Sequence, residues 1–127
     1  MLDVKGRNLF ELSRIGDPFV NFIYSLALSK AFKRPVGKKV SNLILSEALT
    51  RSKIREKVGS RMNRGDLGDY AEGLIFKAWI EGKMTIDEAV TILSKNLGPE
   101  SKGTELQEES IAAFEDLLKH AVKACQM

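Results

Sequence analysis

Three carboxylates stand in front of the most apolar stretch of the chain. In RGDLGDYAEGLIFKAWIEGK, residues 64–83, Asp66, Asp69 and Glu72 recur every third position just ahead of the run GLIFKAWI. Residues three apart share a face of a helix, so Asp69 and Glu72 stand side by side and repel each other. Two chemistries answer that repulsion. One is structural: Asp66 caps the helix and Asp69 complements the positive end of its dipole. The other is a hard divalent cation, Mg2+ or Mn2+, which takes oxygen ligands and keeps several waters. Phosphodiester hydrolysis uses such ions to generate hydroxide and to stabilise the leaving oxygen. Spacing alone leaves both open. A further acid, Asp17, follows Gly16 in LSRIGDPFV, with Asn21 four residues on. It reads as a helix N-cap, with Pro18 as the first helical residue.

The elements that must position these acids are helical. FVNFIYSLALSKAF places Phe19, Phe22, Ile23, Leu26 and Ala27 at helical spacing, and RPVG at residues 34–37 breaks that helix. Val40, Leu43, Ile44 and Ala48 mark the next amphipathic helix, and a short one is expected over 53–58. The helix behind the acids runs from about Leu67 to Glu81. It is apolar on nearly all sides, which only a helix surrounded by others tolerates. TIDEAVTILSKNLG opens with a capping box, Thr85 and Glu88, and Gly98 is expected to end it. A last helix covers about 104–125. No β pattern, internal repeat or low-complexity tract interrupts the series. The expectation is one all-α domain over 1–127, a bundle of about six helices around a buried central one.

Composition narrows the setting. At 127 residues and 43% hydrophobic content the chain has the size and the core of one ordinary domain. No stretch approaches the ~18 apolar residues of a membrane span. MLDVKGRNLF is too polar for a secretory leader, so a cytoplasmic location is expected. With one Cys (Cys125) and one His (His120), zinc and a Cys/His nucleophile are poor candidates. The net charge is only +3, but residues 30–64 hold eleven basic residues against two acids, a local +9. The compensating acids, Glu105, Glu108, Glu109, Glu115 and Asp116, lie late in the chain. Such a division suggests one face for a polyanion, with solvated surface as the plainer alternative. Lys30, Lys33, Arg34, Lys38 and Lys39 are the candidate residues for binding that polyanion.

LSRIGDPFV resembles the ribonuclease III signature, roughly L-E-x-L-G-D-A-V. DYAEGLIFKAWIEG resembles that family's second acidic motif, with Asp69, Glu72, Leu74 and Gly82 in agreement. The resemblance spans roughly residues 12–97, within a motif-bearing core of about 7–97. It is most similar to a compact archaeal ribonuclease III-like family, with mini-ribonuclease III as a more distant relative. It implies an all-α endoribonuclease domain that acts as a homodimer on double-stranded or structured RNA. Asp17, Asp69 and Glu72 would be its catalytic and metal-binding residues, holding Mg2+ or Mn2+, and products would carry 5′-phosphate and 3′-hydroxyl ends. For the dimer contact, the apolar PFVNFIYSLAL nominates Phe19, Phe22 and Tyr24.

The chain departs from the pattern at named positions. Ser13 stands where the signature has its first glutamate, Pro18 where it has a small residue, and Gly73 follows Glu72 in place of alanine. The ~30 residues after Leu97 read as a helix and not as a double-stranded RNA-binding module. Two other functions therefore stand beside a nuclease. One is a dimeric RNA-binding module of the same fold that has lost its chemistry. The other is a helical DNA-binding or scaffold protein, with residues 40–64 as a helix-turn-helix-like unit.

Overall fold

The computed structural model describes residues 4–54 and 61–126, and its elements are all helical. There are five α-helices among the described residues: α1 (Leu9–Phe32), α2 (Asn42–Arg51), α3 (Arg64–Ile80), α4 (Ile86–Ser94) and α5 (Gly103–Ala124). The short helix expected over 53–58 lies mostly outside them.

The first difference from expectation concerns α1. It does not begin at Asp17 and Pro18 but at Leu9, capped by the Asn8 side chain, which accepts from the Glu11 N–H at 2.9 Å. Pro18 sits inside a 24-residue helix. An interior proline removes one hydrogen bond and costs ~3 kcal/mol in isolation. Here the cost is offset by packing. Leu12, Gly16, Val20, Ile23, Tyr24, Ala27 and Leu28 form one continuous buried face on both sides of Pro18, which itself faces solvent.

α3 is the central helix, with Leu67, Ala71, Leu74, Ile75 and Ala78 all in the core. Its N-cap is Asn63, and Asp66 completes a capping box by accepting from the Asn63 N–H. That box absorbs the first of the three acids into structure. The Thr85–Glu88 capping box at the start of α4 forms as expected. α4 stops at Ser94, before Gly98, whose N–H instead reaches the Glu109 carboxylate on α5 at 3.0 Å.

The most extensive helix pairing is α1 on α3. Two glycines make it close. A Cβ on Gly16 would stand 2.5 Å from the Glu72 carbonyl oxygen, and one on Gly73 would overlap the Leu9 carbonyl oxygen. Backbone meets backbone at both points. We therefore expect Gly73→Ala to destabilise the protein by about 1–2 kcal/mol. Overpacking against an immobile carbonyl costs ~1–3 kcal/mol and outweighs the ~1 kcal/mol gain in helix propensity. Urea unfolding checks this; a midpoint equal to or above the parent's would contradict so close a crossing.

Candidate active site

The glycine crossing decides where the acids go. Gly16 rests on the Glu72 backbone, so the next residue of α1, Asp17, opens beside Glu72 on α3. Asp69, one turn earlier on α3, shares that face. All three line one pocket of about 610 Å3, with Ser13, Arg14, Lys39, Ser41 and Asn42. Asp17 is exposed and Asp69 partly so, whereas Glu72 is only 5% exposed.

Burial shapes the electrostatics. Desolvation first, then a hydrogen bond with the Asp17 carboxyl and the charges of Asp17 and Asp69, push the Glu72 carboxyl up to about 8. The Lys39 ammonium works in the opposite direction. Asp69 is raised as well, by burial and by the charges of Asp66 and Asp17. The tight pair is thus Asp17 with Glu72, two carboxyls within hydrogen-bonding reach that cannot both ionise cheaply. Among the described residues no three His, Cys, Asp or Glu side chains gather closely enough to hold a metal ion between them. The geometry offers a carboxylate pair with Asp69 to one side. That suits Mg2+, which binds through one or two carboxylates and fills its octahedron with water and phosphate oxygens.

The other candidate residues separate. Lys39 lines the pocket, while Lys30, Lys33 and Lys38 are exposed on the end of α1 and the segment that follows it. Arg34 forms a two-pronged ion pair with Glu100, at 2.6 and 2.8 Å, and Arg51 pairs with Glu108 and Glu47. The basic middle is therefore partly neutralised by acids of the later chain. Phe22 is 51% exposed, and Ile15 and Leu26 continue its stripe along α1. Phe19 is half-buried, stacked on Trp79 at 4.9 Å. Tyr24 corrects the expectation of an interface residue. It lies some 200° around the helix from Phe22, fully buried against Phe114, with its hydroxyl 2.7 Å from that of Ser110.

Sequence reasoning missed Arg14 and Asn42 in the pocket. Arg14 was within reach of a spacing argument, since it stands three residues before Asp17 on the same helix. Asn42 was not, because only the packing of Gly68 against its side chain brings α2 there.

The raised Glu72 carboxyl has a measurable consequence. Its folded value, about 8, lies above its ordinary 4.5, so the folded state holds the extra proton. The associated stability is full below pH ~4.5 and is lost as pH rises toward about 8. In metal-free buffer, Glu72→Gln should remove this fall and exceed the parent in stability at pH 8. Thermal unfolding of both proteins from pH 5 to 8 checks it, and parallel curves would contradict it.

No curated protein is similar enough to the chain to count as a match. A family model described as Ribonuclease III matches residues 10–125, nearly the whole chain. That span contains both acidic motifs, Gly16 and Gly73, and every residue named in the pocket. The resemblance read from the two motifs is met at the level of the family, whose function is RNA cleavage: the chain belongs to the ribonuclease III family.

Proposed function

We propose that the chain is a metal-dependent endoribonuclease that hydrolyses double-stranded or structured RNA as a homodimer, in the manner of a compact archaeal-type or mini-type ribonuclease III. Residues 1–127 would act as one domain, in the cytoplasm. The observation that carries this reading is the Asp17–Glu72 carboxyl pair at the glycine crossing, with Lys39 and Arg14 lining the same pocket. The donor set is all carboxylate oxygen, the chemistry hard cations prefer.

Asp17 and Glu72 would hold Mg2+ or Mn2+ directly, and Asp69 would orient a ligated water or join as a third ligand. When bound there, a divalent ion supplies an acidified water and neutralises charge on the phosphate. Glu72 must release its proton for this, which the nearby Lys39 favours. Lys39 and Arg14 would hold the phosphodiester against the carboxylates. Hydrolysis there would join the water oxygen to phosphorus as the bond from phosphorus to the 3′ oxygen breaks, with the proton lost by the water returned to that oxygen through solvent. The products are a 5′-phosphate and a 3′-hydroxyl.

A duplex needs one cut on each strand, which two copies related by a two-fold axis supply. The exposed Ile15, Phe22 and Leu26 on α1 offer an apolar stripe for that contact, with Phe19 behind it. A second reading, an RNA-binding protein without chemistry, draws support from Ser13. Its hydroxyl donates to the Phe10 carbonyl at 2.7 Å and brings no carboxylate to the pocket.

Cleavage of an end-labelled RNA duplex in Mg2+ or Mn2+ decides between the two. We expect Asp17→Asn, Asp69→Asn and Glu72→Gln each to bind duplex yet cleave about a hundredfold more slowly or worse. Parent protein that binds duplex without cutting it would establish the second reading. Replacing Lys38 and Lys39 together by Ala should weaken duplex binding and flatten the log–log salt dependence by roughly 1–2, since each lost phosphate contact releases about one counterion fewer. An unchanged slope would make both lysines ordinary surface. Phe22→Glu should convert a dimer to a monomer by light scattering at micromolar concentration; a parent that is already monomeric would remove the two-strand mechanism.

A further inference from the structure

Four polar residues of α1, Asp17, Asn21, Ser25 and Ser29, follow one another at intervals of four, and the segment after the helix folds back along them. The Val36 N–H donates to the Ser29 hydroxyl at 2.9 Å, and that hydroxyl donates to the Val36 carbonyl. Two residues on, Lys38 repeats both bonds with Ser25, at 2.9 and 3.1 Å. Two further on, the Val40 N–H donates to Asn21 Oδ1 at 2.8 Å. The match is metrical. Four residues of α-helix rise ~6.0 Å, and two residues of extended chain ~6.6 Å. A helix thereby takes the part of a neighbouring strand, with side chains in place of backbone groups.

The ladder does not stop at Val40. Asn21 Nδ2 donates to Asp17 Oδ1 at 3.2 Å. The orientation of the amide is fixed from both sides. Val40 N–H requires the oxygen and the Asp17 carboxylate requires the nitrogen, so a flipped amide would lose both bonds. One side chain therefore meets the acid that faces Glu72 and the strap that carries Lys38 and Lys39. Lys39 lies one residue before that anchor and lines the acidic pocket.

We propose that Asn21 is a positioning residue that sets Asp17 for the cation and the Lys39 strap for the RNA phosphate, coupling the two halves of the site through one amide. This rests on the nuclease reading above. The amide binds no substrate. It acts by holding one carboxylate oxygen of Asp17, leaving the other for the metal, and by fixing the distance from that carboxylate to the strap. Outer partners of this kind typically carry 10–100-fold in metal affinity.

Mn2+ affinity by calorimetry and RNA-duplex affinity by fluorescence anisotropy in EDTA test it, on full-length parent, Asn21→Ala and Ser25→Ala, each checked for folding by circular dichroism. Asn21→Ala should bind Mn2+ about tenfold more weakly or worse and should also lose duplex affinity. Raising Mn2+ should restore much of its cleavage. Ser25→Ala loosens the strap without touching Asp17, so it should weaken duplex binding and leave Mn2+ affinity at the parent's value. If Asn21→Ala does not fold, Asn21→Gln, which keeps the amide but displaces it by one methylene, should show the same loss of Mn2+ affinity. Parent-like Mn2+ affinity in the folded Asn21 variant would overturn the proposal, as would an equal loss in Ser25→Ala, which would mark general loosening. A parent that takes up no Mn2+ at all would overturn the metal-dependent reading and this proposal together. A parent that binds and cleaves, beside an unaffected Asn21→Ala, would overturn the positioning role alone.

Discussion

Two helix backbones touch at Gly16 and Gly73, and the rest of the site depends on that contact. With side chains at those positions, α1 and α3 would have to separate. The residues flanking the contact are Asp17 and Glu72, so the same absence of two Cβ atoms that packs the core brings two acids face to face. The consequence is electrostatic. Glu72 is nearly enclosed, and its carboxyl keeps a proton that an exposed glutamate would have lost. Stability and proposed function oppose each other at this point: the pair is unfavourable in the folded chain unless a proton or a cation lies between its members.

Charge follows a second logic. The sequence separates a basic middle from an acidic later part, which reads as a face for a polyanion and its opposite. The fold partly reunites them. Arg34 is held by Glu100 and Arg51 by Glu108, across connections of more than fifty residues. Such exposed pairs contribute little to stability. Their effect is on distribution: they neutralise two arginines of the basic middle, while Lys39 and Arg14 stand beside the acids in the pocket. Lys39, on the pocket wall, is the one that also acts on Glu72.

How much of this was legible depended on whether the deciding contact was local. The buried central helix was readable because an apolar run leaves it no solvent face, and the Thr85–Glu88 box because a cap is a three-residue pattern. That Asp69 and Glu72 share a face followed from helical spacing. Helix α1 was misread at Asp17 and Pro18 because proline is a strong local breaker, while the buried stripe that overrides it is tertiary. Tyr24 was misassigned because aromatic content marks an apolar segment without marking its faces. Its burial depends on Phe114 and Ser110, some ninety residues away. The four-residue series Asp17, Asn21, Ser25, Ser29 was visible as spacing, but nothing local said that a returning strap would occupy it. The pairing of Asp17 with Glu72 was carried only by the family resemblance, since neither motif's spacing contains the crossing.

If the crossing builds a cation site from Asp17 and Glu72, both carboxylates must reach one ion. The most direct test is a crystal soaked in Mn2+ and measured for anomalous scattering. A peak is expected in the pocket roughly 2 Å from a carboxylate oxygen of Asp17 and of Glu72. A peak held elsewhere, or by only one of the two, with the pocket otherwise intact, would contradict it.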